Sequence, residues 1–152
     1  MKSKVGHIFL HVSDVESSYK FYRRLLTYLD YKETVNEDWG FAFANEGTSI
    51  WFVEAEEKYV VVGYHRKRVG LNHIAFKVNS KEEVDKFYNE FLKPNKIDTL
   101  YNTPKSFPEY TKDYYAVYFE DLDRIKLEVA YYSWKFVFKL ASGRINARID
   151  YA

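Results

Sequence analysis

The twenty residues from His7, HIFLHVSDVESSYKFYRRLL, return 66 positions later as HIAFKVNSKEEVDKFYNEFL from His73, without a gap. Eight positions are identical, from His7/His73 and Ile8/Ile74 through Phe21/Phe87 and Tyr22/Tyr88 to Leu26/Leu92. Most other apolar positions are matched in kind, as Leu10 is by Phe76 and Leu25 by Phe91. Such an internal repeat is one supersecondary unit used twice, usually because neither copy buries its apolar face alone. Each copy opens with a histidine at the same point of its first strand. Related by the repeat, the two histidines could face each other across whatever the copies enclose.

The pattern around the repeat predicts the same order of elements in both copies. KVGHIFLHV (4–12) alternates as a strand, with Ile8, Leu10 and Val12 on one side and His7, Phe9 and His11 on the other. Ser13 or Asp14 caps a helix running to about Leu29, with Val15, Tyr19, Tyr22 and Leu26 at helical spacing. Three β-prone runs follow at 31–36, 39–45 and 48–55, separated by Asn36-Glu37-Asp38 and Asn45-Glu46-Gly47. A charged crossing over 56–69 leads to the second module: a strand at 70–78, a helix at 80–92 stopped by Pro94, and strands near 96–102, 113–120 and 124–131. TPKSFPEYTKD (103–113) is expected to be an exposed loop, and the first module has no counterpart of that length. A loop of this kind often sits over a site. The prediction is one domain over 1–131, with module one at 4–55 and module two at 70–131. Residues 132–152 are an extension whose apolar run YYSWKFVF is expected to pack on the domain or on a second subunit.

Composition narrows the function classes. Lys+Arg 23 against Asp+Glu 22 leaves a net charge of +1, without the basic stripe that nucleic-acid binding needs. There are no cysteines, so disulfides, thiolate metal sites and a cysteine nucleophile are excluded. The apolar run near the N-terminus is too short for a signal peptide, and no stretch approaches a membrane span. The chain is therefore expected to be cytoplasmic, with neither nucleic acid nor membrane as partner. Fifteen Tyr, twelve Phe and three Trp suit an aromatic-packed core, or a cup lined for a flat ligand.

Strand parity places the chemistry. In DRIKLEVAYY, Ile125, Leu127 and Val129 form the helix-facing set, which leaves Lys126, Glu128 and Ala130 on the opposite side. His73 sorts to that side of its strand, and so does His7 in the first copy. A carboxylate flanked by Leu127 and Val129 is costly to desolvate unless it is paired or metal-bound. Two histidines and one carboxylate form a facial set that suits ferrous iron, and also manganese, nickel, cobalt or zinc, with positions left open for substrate. Lys126 shares the face, and a salt bridge from it to Glu128 would argue against a metal.

The segments GHIFLHVSD, FYRRLL, NHIAFKV, FYNEFL and EDLDRIKLEV together resemble the vicinal oxygen chelate superfamily, also called the glyoxalase/bleomycin-resistance/dioxygenase family. The resemblance spans about 4–131. It implies an α+β fold of two βαβββ modules forming an open, cup-shaped mixed β-barrel, and a divalent metal ion held by His7, His73 and Glu128. It leaves open whether that metal is iron, manganese, nickel or zinc. Arg124 stands where the family usually has glycine after an Asp-x-Asp turn, with the glutamate still in register.

Matching GTSIWFV to DRIKLEV puts Trp51 at the place where the glyoxalase I branch has a glutamate and the methylmalonyl-CoA epimerase branch a glutamine. Glu54 has the wrong parity to substitute unless its strand bulges. Branches with three ligands fit better, among them fosfomycin-resistance thiol transferases and extradiol dioxygenases. The fosfomycin group commonly has tryptophan at Trp51 and tyrosine at Tyr118, but a threonine where this chain has Phe9. The reading is a metal-dependent lyase or isomerase, thiol transferase or ring-cleaving dioxygenase acting on a small substrate with vicinal oxygens. Glu128 and Tyr118 are its catalytic candidates; Trp51, Phe9 and Tyr118 would contact substrate, and His11, like Tyr118, could stand behind the metal ligands, although such a residue is more often packing or surface. The rival from another class is a metal-free drug-binding protein of bleomycin-resistance type. A homodimer is expected in either case.

Overall fold

The computed structural model describes residues 1–133. Within them the chain is α+β, with eight strands in two four-stranded sheets and a few short helices. It divides into two compact units: Met1–Asn72 with Asp121–Ile125, and His73–Glu120 with the residues from Lys126 on. The predicted packing of the C-terminal extension falls largely on 134–152, outside the described residues.

The first unit runs β1 (His7–Val12), α1 (Val15–Tyr28), β2 (Lys32–Glu37), β3 (Gly40–Asn45), β4 (Thr48–Glu54) and a single turn of helix, α2 (Glu57–Val60), within the predicted crossing. Asp14 begins α1, its Oδ1 accepting the Ser17 N–H at 2.7 Å. The sheet order is β1-β4-β3-β2, with β1 parallel to β4. On the helix side, Leu10, Val12, Phe41, Phe43, Ile50 and Phe52 are buried, as are Phe21, Tyr22, Leu25 and Leu26 of α1. The Tyr22 ring lies 4.0 Å from that of Phe52. Gly40 is required where β3 meets β4, because a Cβ there would come within 2.4 Å of the Phe52 carbonyl oxygen.

The second unit repeats this plan with β5 (His73–Lys77), α3 (Lys81–Phe87), β6 (Thr99–Ser106), β7 (Tyr115–Glu120) and β8 (Lys126–Tyr131), ordered β5-β8-β7-β6 with β5 parallel to β8. Ser80 caps α3 through the Glu83 N–H, and the Glu83 carboxylate accepts the Asn79 N–H at 2.8 Å. The predicted helix 80–92 is present, but its last five residues, Tyr88–Leu92, form a π turn. The segment 103–113 differs from the expected exposed loop. Residues 103–106 belong to β6, and Thr103, Phe107 and Thr111 are buried. The reason is local pairing: Thr103 Oγ1 accepts the Tyr118 N–H at 3.0 Å and donates to the Leu100 carbonyl at 2.8 Å, so Thr103 is buried with its hydroxyl satisfied, while Lys105, Ser106, Pro108, Glu109 and Lys112 are exposed as expected. No helix among the described residues is long and apolar enough to cross a membrane.

Candidate functional site

The turn between β7 and β8 sets the register of Glu128. Asp121 Oδ1 accepts the N–H groups of Asp123 (2.9 Å) and Ile125 (2.7 Å), and its Oδ2 accepts the Tyr22 hydroxyl at 2.6 Å. Asp123 in turn accepts the Ser13 N–H at 2.9 Å. Burial pushes the Asp121 carboxyl up to about 6, against the lowering effect of the donors that point at it. Arg124 closes the turn at φ 65°, taking the left-handed backbone that a glycine would take.

From that turn β8 places Lys126, Glu128 and Ala130 on the face away from α3, as parity predicts. Glu128 pairs with Ala75 of β5 on one side and Tyr118 of β7 on the other. Its carboxylate is wholly buried. Oε1 accepts the Tyr114 hydroxyl at 2.6 Å. Oε2 lies 3.0 Å from His73 Nε2, yet no hydrogen bond to it is formed. That nitrogen is close enough to bond but is not aligned to do so, which leaves a buried carboxylate oxygen with an unused lone pair. Beside it on β5, Ala75 contributes only a methyl group and is exposed.

Aromatic rings wall this face. Tyr118 packs edge-on to His73 at 6.4 Å, to Tyr101 at 5.6 Å and to Phe107 at 5.4 Å. Tyr101 reaches it from a bulge in β6, where Tyr101 and Asn102 both take positive φ (62° and 53°). Burial raises the Tyr118 and Tyr114 hydroxyls well above the usual phenol range, and the charge of Glu128 raises them further. Both phenols therefore keep their protons at neutral pH and can donate. The Lys126 ammonium is buried over the Tyr101 and Tyr118 rings, at 5.7 and 5.4 Å. Glu128 Oε2 accepts no hydrogen bond from it.

The structure thus brings His73, Glu128 and Tyr118 together in the second unit. His7, Phe9, His11 and Trp51 belong to the first. His7 is exposed at the start of β1. Phe9 pairs in register with Trp51, their rings parallel within 9° at 6.3 Å, and Trp39 continues the row at 6.3 Å and 13° from Trp51. Trp51 donates its indole N–H to Ser49 Oγ at 3.0 Å. The Phe9–Trp51 pairing corresponds to the Ala75–Glu128 pairing of the second unit, so Trp51 occupies the Glu128 position of its own sheet. Glu54 pairs with Val12, a core residue, and is therefore on the helix-facing parity. Among the described residues there is no group of three or more His, Cys, Asp or Glu side chains placed to hold a metal ion. Sequence reasoning missed Tyr114. The predicted strand 113–120 includes it at the parity of Tyr118, but parity alone does not say which tyrosine hydroxyl reaches the carboxylate.

Two four-stranded sheets of the same strand order, each backed by one helix, define the paired βαβββ class of α+β proteins. The sequence profile of the Glyoxalase/Bleomycin resistance protein/Dioxygenase superfamily matches residues 4–129, and the chain belongs to that superfamily. It is 39% identical over 123 residues to the uncharacterized protein YqjT of Bacillus subtilis, covering 81% of this chain and 94% of that one. It is 30% identical over 125 residues to the metallothiol transferase FosB of Staphylococcus haemolyticus, covering 82% of this chain and 81% of that protein. The crystal structure of a candidate glyoxalase from Bacillus halodurans is similar with a TM-score of 0.75 and 32% identity, over 84% of this chain and 95% of that one.

Proposed function

We propose that this protein is a metal-dependent enzyme acting on a small substrate with two neighbouring oxygens, with His73, Glu128 and His7 as the protein ligands. The observation that carries the reading is the buried Glu128 Oε2, which accepts no hydrogen bond and lies 3.0 Å from His73 Nε2. An oxygen and an imidazole nitrogen set side by side in this way suit a first-row divalent ion such as iron, manganese, nickel or zinc. When bound, that ion supplies Lewis acidity, stabilising negative charge that develops on a substrate oxygen. Tyr118 donates a hydrogen bond to the substrate, and Phe9 and Trp51 provide flat apolar contact. With tryptophan at the Glu128 position of the first sheet, the set has three ligands, as in metallothiol transferases, and lacks the fourth acid of a glyoxalase I. The protein works in the cytoplasm as a homodimer, which light scattering of the purified full chain tests.

Metal content by mass spectrometry, on protein purified without chelator or histidine tag, tests the centre. Near-stoichiometric metal is expected in the natural chain, and its loss in His73→Ala. A chain that takes up none, even after incubation with each ion, sinks the reading. A second reading, a metal-free binder of flat aromatic compounds, is favoured by the parallel Phe9–Trp51–Trp39 row, with Phe9 and Trp39 more than half exposed. It predicts tryptophan quenching by aromatic ligands that chelator treatment leaves unchanged.

A further inference from the structure

We infer that Tyr114 is a positioning residue that makes Glu128 a one-oxygen ligand, a role that rests on the metal centre proposed above. A carboxylate can meet an ion through one oxygen or both. The Tyr114 hydroxyl occupies Oε1 at 2.6 Å, the length of a strong charge-assisted O–H···O bond. Oε2 is the oxygen beside His73 and accepts no hydrogen bond. The phenol thereby decides which oxygen is offered and fixes the rotation of the carboxylate that offers it.

The hydroxyl can do this because the ring behind it is held on several sides. Tyr114 stacks on Tyr132 (5.2 Å, 1° between planes) and meets Tyr110 and Phe107 edge-on at 5.4 and 6.3 Å. Its N–H donates to the Thr111 carbonyl at 3.0 Å, and its carbonyl accepts the Phe107 N–H at 2.9 Å. The segment 107–114 is thus closed on itself, and its closure is transmitted to Glu128 through one hydroxyl. Outer-shell partners of this kind set ligand orientation, and losing one typically weakens metal affinity about 10- to 100-fold.

Tyr114→Phe removes the hydroxyl and keeps the ring contacts. Cobalt(II), titrated into metal-free full-length protein against a chromophoric chelator, is expected to bind the variant about 10- to 100-fold more weakly. Its visible absorption per cobalt should also fall, because the released Oε1 raises the coordination number. Tyr115→Phe is the control: that hydroxyl bonds Asp85 at 2.8 Å, on the helix side of β7, and its loss should move neither readout. Independently of any variant, the infrared difference spectrum of the natural protein on cobalt binding should show carboxylate stretches more widely split than in the free ion, as one-oxygen ligation requires. Tyr114→Phe binding cobalt with unchanged affinity and spectrum, or a narrow carboxylate splitting in the natural protein, overturns the role of Tyr114 and leaves the metal centre standing. A natural chain that binds no cobalt overturns both.

Discussion

Arg124 sits at φ 65°, where a side chain costs about 1–2 kcal/mol that glycine does not incur. Glycine gives back about 0.5–1 kcal/mol through the extra freedom of its unfolded chain. Arg124→Gly is therefore expected to stabilise the protein by about 0.5–1 kcal/mol, read as a higher denaturation midpoint at an unchanged slope. In the sequence this position is marked only by resemblance to the family, which usually has glycine there. The direction of Glu128 was legible from the residues themselves: in a strand with Leu127 and Val129 committed to the core, alternation leaves it no choice. The partner that holds Glu128 was not legible. Tyr114 and Tyr110 are two of fifteen tyrosines, and only the path of the backbone distinguishes the one whose hydroxyl reaches the carboxylate.

At the scale of elements, the β7–β8 turn carries its own pH dependence. In the folded chain Asp121 titrates near 6, against an ordinary value of 3.8. Between those values the folded protein holds a proton that the unfolded chain has released, so stability falls as pH rises from about 4 to 6 and is level above. Each pH step of one across that window is worth about 1.4 kcal/mol, which bounds the whole effect at about 3 kcal/mol. Asp121→Asn keeps an acceptor for the two turn N–H groups and cannot ionise. Urea denaturation across pH 4 to 7 should show the natural chain losing stability relative to the variant; parallel curves would refute the assignment. Both modules were legible as elements, with boundaries within a few residues, since alternation and capping act locally. The stretch 103–113 was not, because its prolines and charges say nothing of the pairing through Thr103 that folds part of it into β6.

At the scale of the molecule, the two units are not two consecutive lengths of chain. Asp121–Ile125 is made with the second unit and belongs to the first. Trp39 and Trp51 stand in the first unit, so with Trp134→Phe as background their emission follows that unit, while near-ultraviolet tyrosine signals follow both. The two transitions are expected to coincide in denaturant, because losing the first unit also opens the turn joining β7 to β8; separated midpoints would count against it. The same turn sets an order on synthesis. Domains commonly fold from the N-terminus as they leave the ribosome, but Tyr22, buried in the first core, has its hydroxyl acceptor in Asp121. The half of the protein that is translated first must wait for almost the last strand before its interior is complete.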